Sequence, residues 1–450
     1  MPLPELLAPA GQPEKLSIPE LLAPAGRPEQ QFLPELLAPA GRPEKQSLPE
    51  LLAPAGDPEK LRTAFDYGAD AAYLGGEDFG LRAPAGKFDL DALARARELA
   101  QRRGKRLYLT LNAYLRQADL PRLEAYLEAL RPLDLDAYIV ADPGVLALVR
   151  RCDPRREIHL STQANTTNGA AARFWAAAGA RRINLARELS LEEIAAIRRE
   201  TEVELEVFVH GAMCVAYSGR CLLSAAMTDR SANQGACAHP CRWRYALVEE
   251  TRPGEYFPIE EDDRGSYLLN SRDLCLIEHL PALIQAGVHS LKIEGRMKTV
   301  YYLAAVTRVY RAALDRYRDD PAGYRCDPLW LEELEKVSHR PYDTGFLFGG
   351  AEAKVHVADS KYRRAYDFVG VARDCFADGR ALVEGRNRFF PGETLELIGP
   401  GMRQGCFTVG ELRSETGEIL PAGQPNGRIL MALPAGARVG DLLRRQGRGD

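Results

Sequence analysis

The chain of 450 residues is predicted to fold as an α/β (β/α)8 TIM-type barrel with a long cysteine-bearing insertion, followed by a small C-terminal β-barrel-like domain. Three observations predict this. From residue 50 onward, eight short apolar or β-branched runs alternate with segments of helical period, the pattern of a parallel sheet wrapped by helices. No GxGxxG element follows any of the runs, which disfavours an open dinucleotide-binding sheet. From about Val355 the texture changes to short strands between glycine and proline turns.

The chain opens on a repeat. Pro-Glu-Leu-Leu-Ala-Pro-Ala-Gly occurs four times, starting at Pro4, Pro19, Pro34 and Pro49 with a period of 15. Prolines at this density block both helix and central strand, so residues 1–48 are expected to be a dispensable, disordered leader. The fourth copy differs because Asp57-Pro58-Glu59 follows it, which is an N-cap, a proline in the first turn and an acidic start to a helix. Copies one to three offer Gln12, Arg27 and Arg42 at the cap position. Glu50 to Gly56 is therefore the first expected strand, although a longer loop costs only ~0.6 kcal/mol per doubling of length, which leaves an earlier copy as a rival.

The remaining barrel strands are expected at Ala71 to Gly75, Arg106 to Asn112, Ala137 to Asp142, Glu157 to Gln163, Arg182 to Arg187, Glu204 to Gly211 and Ser290 to Glu294. Helical stretches between them include Asp89 to Arg103, Leu120 to Leu130, Gly169 to Ala178 and Leu191 to Glu200. The barrel thus spans residues 49–320, with an insertion at 212–275. A helical connector follows at 321–354, and the β domain runs from 355 to 450, with strands at Phe368 to Ala372, Arg380 to Glu384, Glu393 to Leu397, Phe407 to Leu412 and Arg428 to Ala432. Chemistry on such barrels sits at the C-terminal ends of the strands. Those ends carry Asn112, Asp142, Gln163 with Asn165, Arg187 with Glu188, His210, and Lys292 with Glu294 and Arg296. The competing role for each is a loop-anchoring hydrogen bond.

Net charge is −4, so a nucleic-acid partner would be held by local patches and not by a general positive field. Candidate patches are Arg150-Arg151 with Arg155-Arg156, Arg181-Arg182, and Lys361 to Arg364. Paired arginines are usually solvated faces, and each patch reads first as one. The N-terminus shows neither a basic n-region nor an apolar h-region, and no run reaches the ~18 to 20 apolar residues of a membrane span. A cytoplasmic protein with no membrane partner is the expectation.

Cys214, Cys221, Cys237 and Cys241 fall within 28 residues, and Cys275 follows a short way downstream. In a reducing compartment, clustered cysteines serve metals or catalysis before disulfides. The spacings lack the paired CxxC knuckles common in zinc sites, which favours an iron-sulfur cluster. Four ligands are needed, so Cys241 and Cys275 compete for the last place. A buried structural thiol is the plain alternative for Cys275. A second possibility makes Cys214 a nucleophile with His210 as base, but it leaves the neighbouring cysteines unexplained.

Residues 206–224, Glu-Val-Phe-Val-His-Gly-Ala-Met-Cys-Val-Ala-Tyr-Ser-Gly-Arg-Cys-Leu-Leu-Ser, resemble the signature of the U32 family, the collagenase-like peptidases. The resemblance extends through His159-Leu-Ser-Thr-Gln-Ala-Asn165, Cys237-Ala-His-Pro-Cys-Arg242, Asn270-Ser-Arg-Asp-Leu-Cys275 and Lys292-Ile-Glu-Gly-Arg-Met-Lys298. Within the family, a barrel, a cysteine group and one C-terminal β domain resemble the prephenate-dependent tRNA uridine hydroxylases, which form 5-hydroxyuridine at the wobble position. That likeness implies an iron-sulfur cluster, of the 4Fe-4S kind, on Cys214, Cys221, Cys237 and Cys275, with Cys241 as alternate. It implies prephenate as co-substrate and the tRNA anticodon arm as partner. Arg187, Arg220, Arg242, Gln163 and Lys292 are then candidates for substrate binding, with His210, Glu294 and Arg296 as catalytic candidates. The peptidase activity of the family name, and a non-catalytic cluster-carrying or RNA-binding accessory role, are the alternatives.

Overall fold

A computed structural model describes residues 48–81, 88–214, 218–243, 247–248, 256–257, 272–349 and 363–447. The first three repeat copies lie outside the described residues. The fourth supplies strand β1 (Glu50–Ala55), buried throughout. Asp57 then caps helix α1 (Pro58–Asp66) by accepting from the Lys60 backbone N–H at 2.9 Å, with Pro58 in the first turn. This is the start that the Asp-Pro-Glu signal predicts.

The alternation continues as β2 (Ala71–Gly75), α2 (Leu90–Arg102), β3 (Arg106–Leu111), α3 (Leu120–Leu130), β4 (Ala137–Val140), α4 (Pro143–Cys152), β5 (Glu157–Leu160), α5 (Gly169–Ala178), β6 (Arg182–Asn184), α6 (Leu191–Glu200) and β7 (Glu204–Ala212). The insertion holds α7 (Leu223–Thr228), a hairpin of β8 (Leu247–Val248) with β9 (Tyr256–Phe257), then β10 (Asp273–Cys275) and α8 (Leu280–Gln285). β11 (Ser290–Ile293) and the long helix α9 (Val300–Asp319) complete the ring. Each strand from β1 to β6 pairs in parallel with the next, and β11 pairs in parallel with both β7 and β1, so eight strands close a barrel. β10 runs antiparallel to β7 on the outside of this closure and carries the short β12 (Tyr342–Asp343) beyond it. Among the described residues no helix is long and apolar enough to cross a membrane.

The strand faces turned to the helices are apolar, as a barrel wrapped by helices requires. The barrel interior is not. Leu52, Ala71, Tyr73, Ala137 and Ile139 fill one half. In the other half a buried ionic network replaces the branched aliphatic layers usual in this fold. Arg182 on β6 binds Glu50 on β1 at 2.6 Å and Glu204 on β7 at 2.8 Å, and lies 3.5 Å from Glu206. Lys292 on β11 binds Glu206 at 2.7 Å. The Tyr108 hydroxyl donates to Glu50 at 2.7 Å and Ser290 to Glu206 at 3.1 Å. Burial alone would raise the Glu206 carboxyl, but the charges of Lys292 and Arg182 hold it below its ordinary value.

The C-terminal domain is one antiparallel sheet. Its strands are β13 (Tyr366–Cys375), β14 (Arg380–Gly385), β15 (Thr394–Ile398), β16 (Gln404–Thr408), β17 (Leu412–Arg413), β18 (Ile419–Leu420), β19 (Arg428–Ala432) and β20 (Leu442–Gln446), in the order β16-β15-β20-β13-β14-β19-β17-β18. β20 was not among the expected strands, and its arginines are not surface groups. Arg444 is fully buried. It binds Glu396 on β15 at 2.9 Å and, at 2.7 Å, Glu333 on helix α10 (Pro328–Glu335), the connector helix. Arg308 of α9 grips the other oxygen of Glu333. Burial would raise the Glu333 carboxyl, yet Arg444 and Arg308 bring it down to about 2. Tyr67, at the end of α1, donates to the carbonyls of Ile398 and Gly440 at 3.1 Å each, a second tie between barrel and sheet.

Removing one member of a buried ion pair leaves its partner charged in a low-dielectric interior and costs about 3–5 kcal/mol. Glu206→Gln should therefore destabilise the barrel by about that amount in denaturant titrations, whereas Arg122→Ala, at an exposed pair with Asp78, should cost under about 1 kcal/mol.

Candidate functional site at the barrel mouth

The C-terminal strand ends converge on a polar mouth. Arg296, just past β11, reaches across it and donates to Thr110 Oγ1 on β3 at 3.1 Å. Its path needs two glycines. A Cβ on Gly56 would meet the Arg296 carbonyl at 2.3 Å, and one on Gly75 would meet its guanidinium at 2.7 Å. On the opposite side, Asn112 Nδ2 and Ser161 Oγ both donate to Gln163 Oε1, at 2.9 and 2.7 Å. Arg187 donates to the Ala212 carbonyl at 2.8 Å and lies over the Phe208 ring at 3.9 Å, beside an apolar pocket lined by Leu185, Val207, Leu274 and Phe346.

The insertion folds onto this mouth. The Tyr114 hydroxyl donates to the Gln163 carbonyl at 2.5 Å, and its backbone N–H donates to the Asn233 carbonyl at 3.2 Å. Gly219 has φ +73°, and a side chain there would stand 2.1 Å from that same Gln163 carbonyl. The Ser218 N–H donates to Glu188 at 2.9 Å. The Ser-Gly-Arg of residues 218–220 is thus the segment that pins the insertion to β5 and β6, with Arg220 exposed next to it. Burial raises the Tyr114 phenol and the charge of Arg220 opposes this, which sets that guanidinium near Tyr114. The side chain of Arg242 lies outside the described residues.

His210 is elsewhere. Period-two alternation would place it inward with Glu206 and Phe208, but the pairing of β7 with β11 slips between Lys292 and Ile293, so that Lys292 faces Phe208 and Ile293 faces His210. Such a bulge changes which face the following residue presents. His210 consequently points outward onto α9, fully buried among Tyr302, Tyr310 and Tyr342. Its two ring nitrogens each lie 3.4 Å from a tyrosine hydroxyl, Nδ1 from Tyr310 and Nε2 from Tyr342. Burial first, then the charges of His339 and Lys298, lower it to about 3. In that cage it does not present a base to Cys214, which is exposed beyond the end of β7. Lys292, read from sequence as a substrate-binding strand-end residue, is instead committed to Glu206 inside the barrel. Glu294 is buried, its N–H on the His210 carbonyl at 2.8 Å and its own carbonyl on the Tyr302 hydroxyl at 3.0 Å.

Of the other polar strand ends, Asp142 caps α4 through the backbone N–H of Gly144 at 2.7 Å, the anchoring role. The paired arginines are likewise engaged. Arg151 binds Glu124, Arg156 binds Asp153, Arg181 binds Glu204, and Arg182 is interior. Lys361 lies outside the described residues. Residues that the sequence left unmarked, Thr110, Ser161, Asn184 and Phe208, also line the interior near the mouth. The available signal was their period-two placement with Tyr108, His159, Arg182 and Glu206.

All nine cysteines are free thiols. Cys221 immediately precedes α7, which packs on the turn Pro240–Arg242 that holds Cys241. The Ala238 N–H donates to Ser224 of α7 at 2.9 Å and the His239 N–H to Cys237 Sγ at 3.4 Å, so three of the thiols ride on adjoining elements. Cys275 is paired opposite His210 and its thiol sits in the core, where burial pushes it up to about 12 against hydrogen bonds from Ile277 and Tyr310. The donor chemistry suits an iron-sulfur cluster. In this conformation no three cysteine, histidine, aspartate or glutamate side chains among the described residues converge to hold a metal ion.

The family model described as "Peptidase family U32" matches residues 56–356, and that of the "Peptidase family U32 C-terminal domain" matches residues 364–444. The chain is 40% identical over 366 residues to tRNA hydroxylation protein P1 of Bacillus subtilis (strain 168), covering 81% of this chain and 86% of that protein. It is 38% identical over 418 residues to tRNA hydroxylation protein P of Escherichia coli (strain K12), covering 82% and 89%. It is also 38% identical over 305 residues to the 23S rRNA 5-hydroxycytidine C2501 synthase of Escherichia coli (strain K12), covering 66% of this chain and 45% of that one.

Because the folded value of His210 lies below the ordinary imidazole value near 6.5, the unfolded chain binds the extra proton between the two. Its contribution to stability is complete above pH 6.5 and is lost as the pH falls toward 3. Between pH 7 and pH 5 this one residue should cost about 2 kcal/mol. Urea titrations at the two pH values should show that increment in the wild type and lose it in His210→Phe; an unchanged increment would place His210 in contact with solvent.

Proposed function

The chain belongs to peptidase family U32, and from that membership we propose that it is an RNA-modifying hydroxylase acting on tRNA. The observation that carries the reading is that relatives named for tRNA hydroxylation match over four-fifths of the chain. A further relative named as a 5-hydroxycytidine synthase supports hydroxylation of an RNA pyrimidine. In its finer form the proposal is 5-hydroxyuridine at the wobble position, with prephenate as co-substrate. A dicarboxylate needs cations in a fixed fork geometry. Arg296, buried and held on Thr110, and Arg187, held on the Ala212 carbonyl, are the guanidinium groups placed at the mouth. The insertion pinned over the mouth by Ser218 and Gly219 shields the bound molecules from water.

An iron-sulfur cluster on Cys214, Cys221 and Cys237, with Cys275 or Cys241 as the fourth ligand, belongs to the same proposal. The density of thiols supports it, and Cys241 shares the packing of Cys221 and Cys237. When bound, such a cluster supplies one-electron transfer. A wobble base has to be splayed from its loop to reach a barrel mouth. The C-terminal sheet, locked to the barrel through Glu333, offers the rest of the anticodon arm a surface in fixed relation to that mouth. A tRNA substrate places the protein in the cytoplasm. The peptidase reading draws no support from His210, whose ring is enclosed by tyrosines.

Mass spectrometry of tRNA nucleosides from a strain deleted for this gene tests the proposal. Nucleosides derived from 5-hydroxyuridine should disappear, and return with a plasmid copy of the wild type but not of Cys221→Ala. Unchanged tRNA in the deleted strain, with no second copy of the activity present, would overturn it.

A further inference from the structure

We propose that the side-chain amides of Gln163 and Asn184 read the base edge of a uracil brought into the barrel mouth, an inference that rests on the RNA reading above. The orientation of Gln163 follows from a chain of hydrogen bonds that starts at a group with a single role. The backbone N–H of Leu81 donates to Asn112 Oδ1 at 3.1 Å, so the other end of the Asn112 amide is its NH2. That NH2 donates to Gln163 Oε1 at 2.9 Å, and Ser161 Oγ donates to the same oxygen at 2.7 Å. Both lone pairs of the Gln163 carboxamide oxygen are used in this way. What the side chain has left to offer a ligand is its NH2, a donor. The backbone is fixed as well, since the Gln163 carbonyl accepts from Tyr114 at 2.5 Å with Gly219 packed against it.

Asn184 supplies the complementary group. On β6, Ile183 and Leu185 belong to the helix-facing core, while Arg182 turns inward to Glu50. Asn184, two residues from Arg182, therefore faces the interior. The parallel register of His159 with Arg182 and Leu160 with Ile183 continues to set Ser161, the support of Gln163, beside Asn184. Asn184 is 2% exposed, and its Oδ1 is buried with no hydrogen-bond partner among the described residues. An unsatisfied buried acceptor is costly, and an N–H brought by a ligand relieves the cost. Uracil presents carbonyl, N–H and carbonyl in succession along its pairing edge. The Gln163 NH2 meets one carbonyl and Asn184 Oδ1 meets the N3–H. A methyl group on N3 removes that donor, whereas cytosine, with a bare N3 beside its exocyclic N4–H2, reaches the Asn184 oxygen only by sliding along its pairing edge. Asn184 is accordingly a specificity-determining residue, and a site built to hydrogen-bond a group rejects the analogue lacking it far more strongly than an apolar pocket does.

Equilibrium binding of the full chain to synthetic anticodon stem-loops tests this, with uridine, N3-methyluridine or cytidine at the first anticodon position. The wild type should bind the uridine loop about tenfold or more tightly than the N3-methyluridine loop, with the cytidine loop measuring whether the base can slide along its edge. Asn184→Leu and Gln163→Met, verified as folded by their unfolding transitions, should bind all three alike. Should neither variant fold, the comparison of uridine with N3-methyluridine on the wild type decides alone. Equal binding of those two loops would overturn the inference and leave the RNA reading standing. Failure to bind any loop would overturn the RNA reading and the inference with it.

Discussion

The barrel depends on charges that have nowhere to go but each other. Glu50, Glu204, Glu206, Arg182 and Lys292 come from strands β1, β6, β7 and β11, which adjoin where the ring closes, and all but the half-buried Glu204, which also binds Arg181, are buried. Each ion loses its hydration on burial, and only a partner in good geometry offsets that loss. The network is therefore intolerant of any change in register among those four strands, because a shift of one residue on any of them would turn a charge onto the apolar helix layer. It binds the last strand, β11, to the first, β1, where a barrel has to close. It also engages Lys292, whose position near a strand end suggests a group for substrate, in a buried pair with Glu206.

Above this network the mouth is assembled by close approaches that only glycine permits. Gly56 and Gly75 let Arg296 cross from the last strand to the third, and Gly219 lets the insertion settle on the Gln163 carbonyl. Arg296 brings a cation onto Thr110, while Asn112, two residues further along the chain, and Gln163 are oriented amides.

The C-terminal sheet is not an independent bead on a linker. Glu333 receives a guanidinium from the barrel on one oxygen and one from the sheet on the other, and neither arginine is exposed. The two domains consequently share one buried electrostatic joint. The sheet is thereby held in fixed relation to the barrel mouth.

Much of this was legible in the chain itself. The strand and helix runs, the Asp57 cap and the grouping of cysteines are local facts, since a period of two or 3.6, a proline or an N-cap side chain acts within a few residues of itself. The barrel class follows from the count and order of those runs. Three things were decided only by tertiary structure. Lys292 and Arg182 read as surface or mouth residues until the closed ring showed carboxylates opposite them. His210 read as an inward strand-end group until a bulge, invisible to alternation, turned it onto α9. Arg444 drew no expectation from the sequence, and its enclosure by Glu333 and Glu396 is a tertiary fact. In each case a charge or an imidazole takes its role from partners tens to hundreds of residues away, and those partners are set by strand register and packing, which no local pattern encodes.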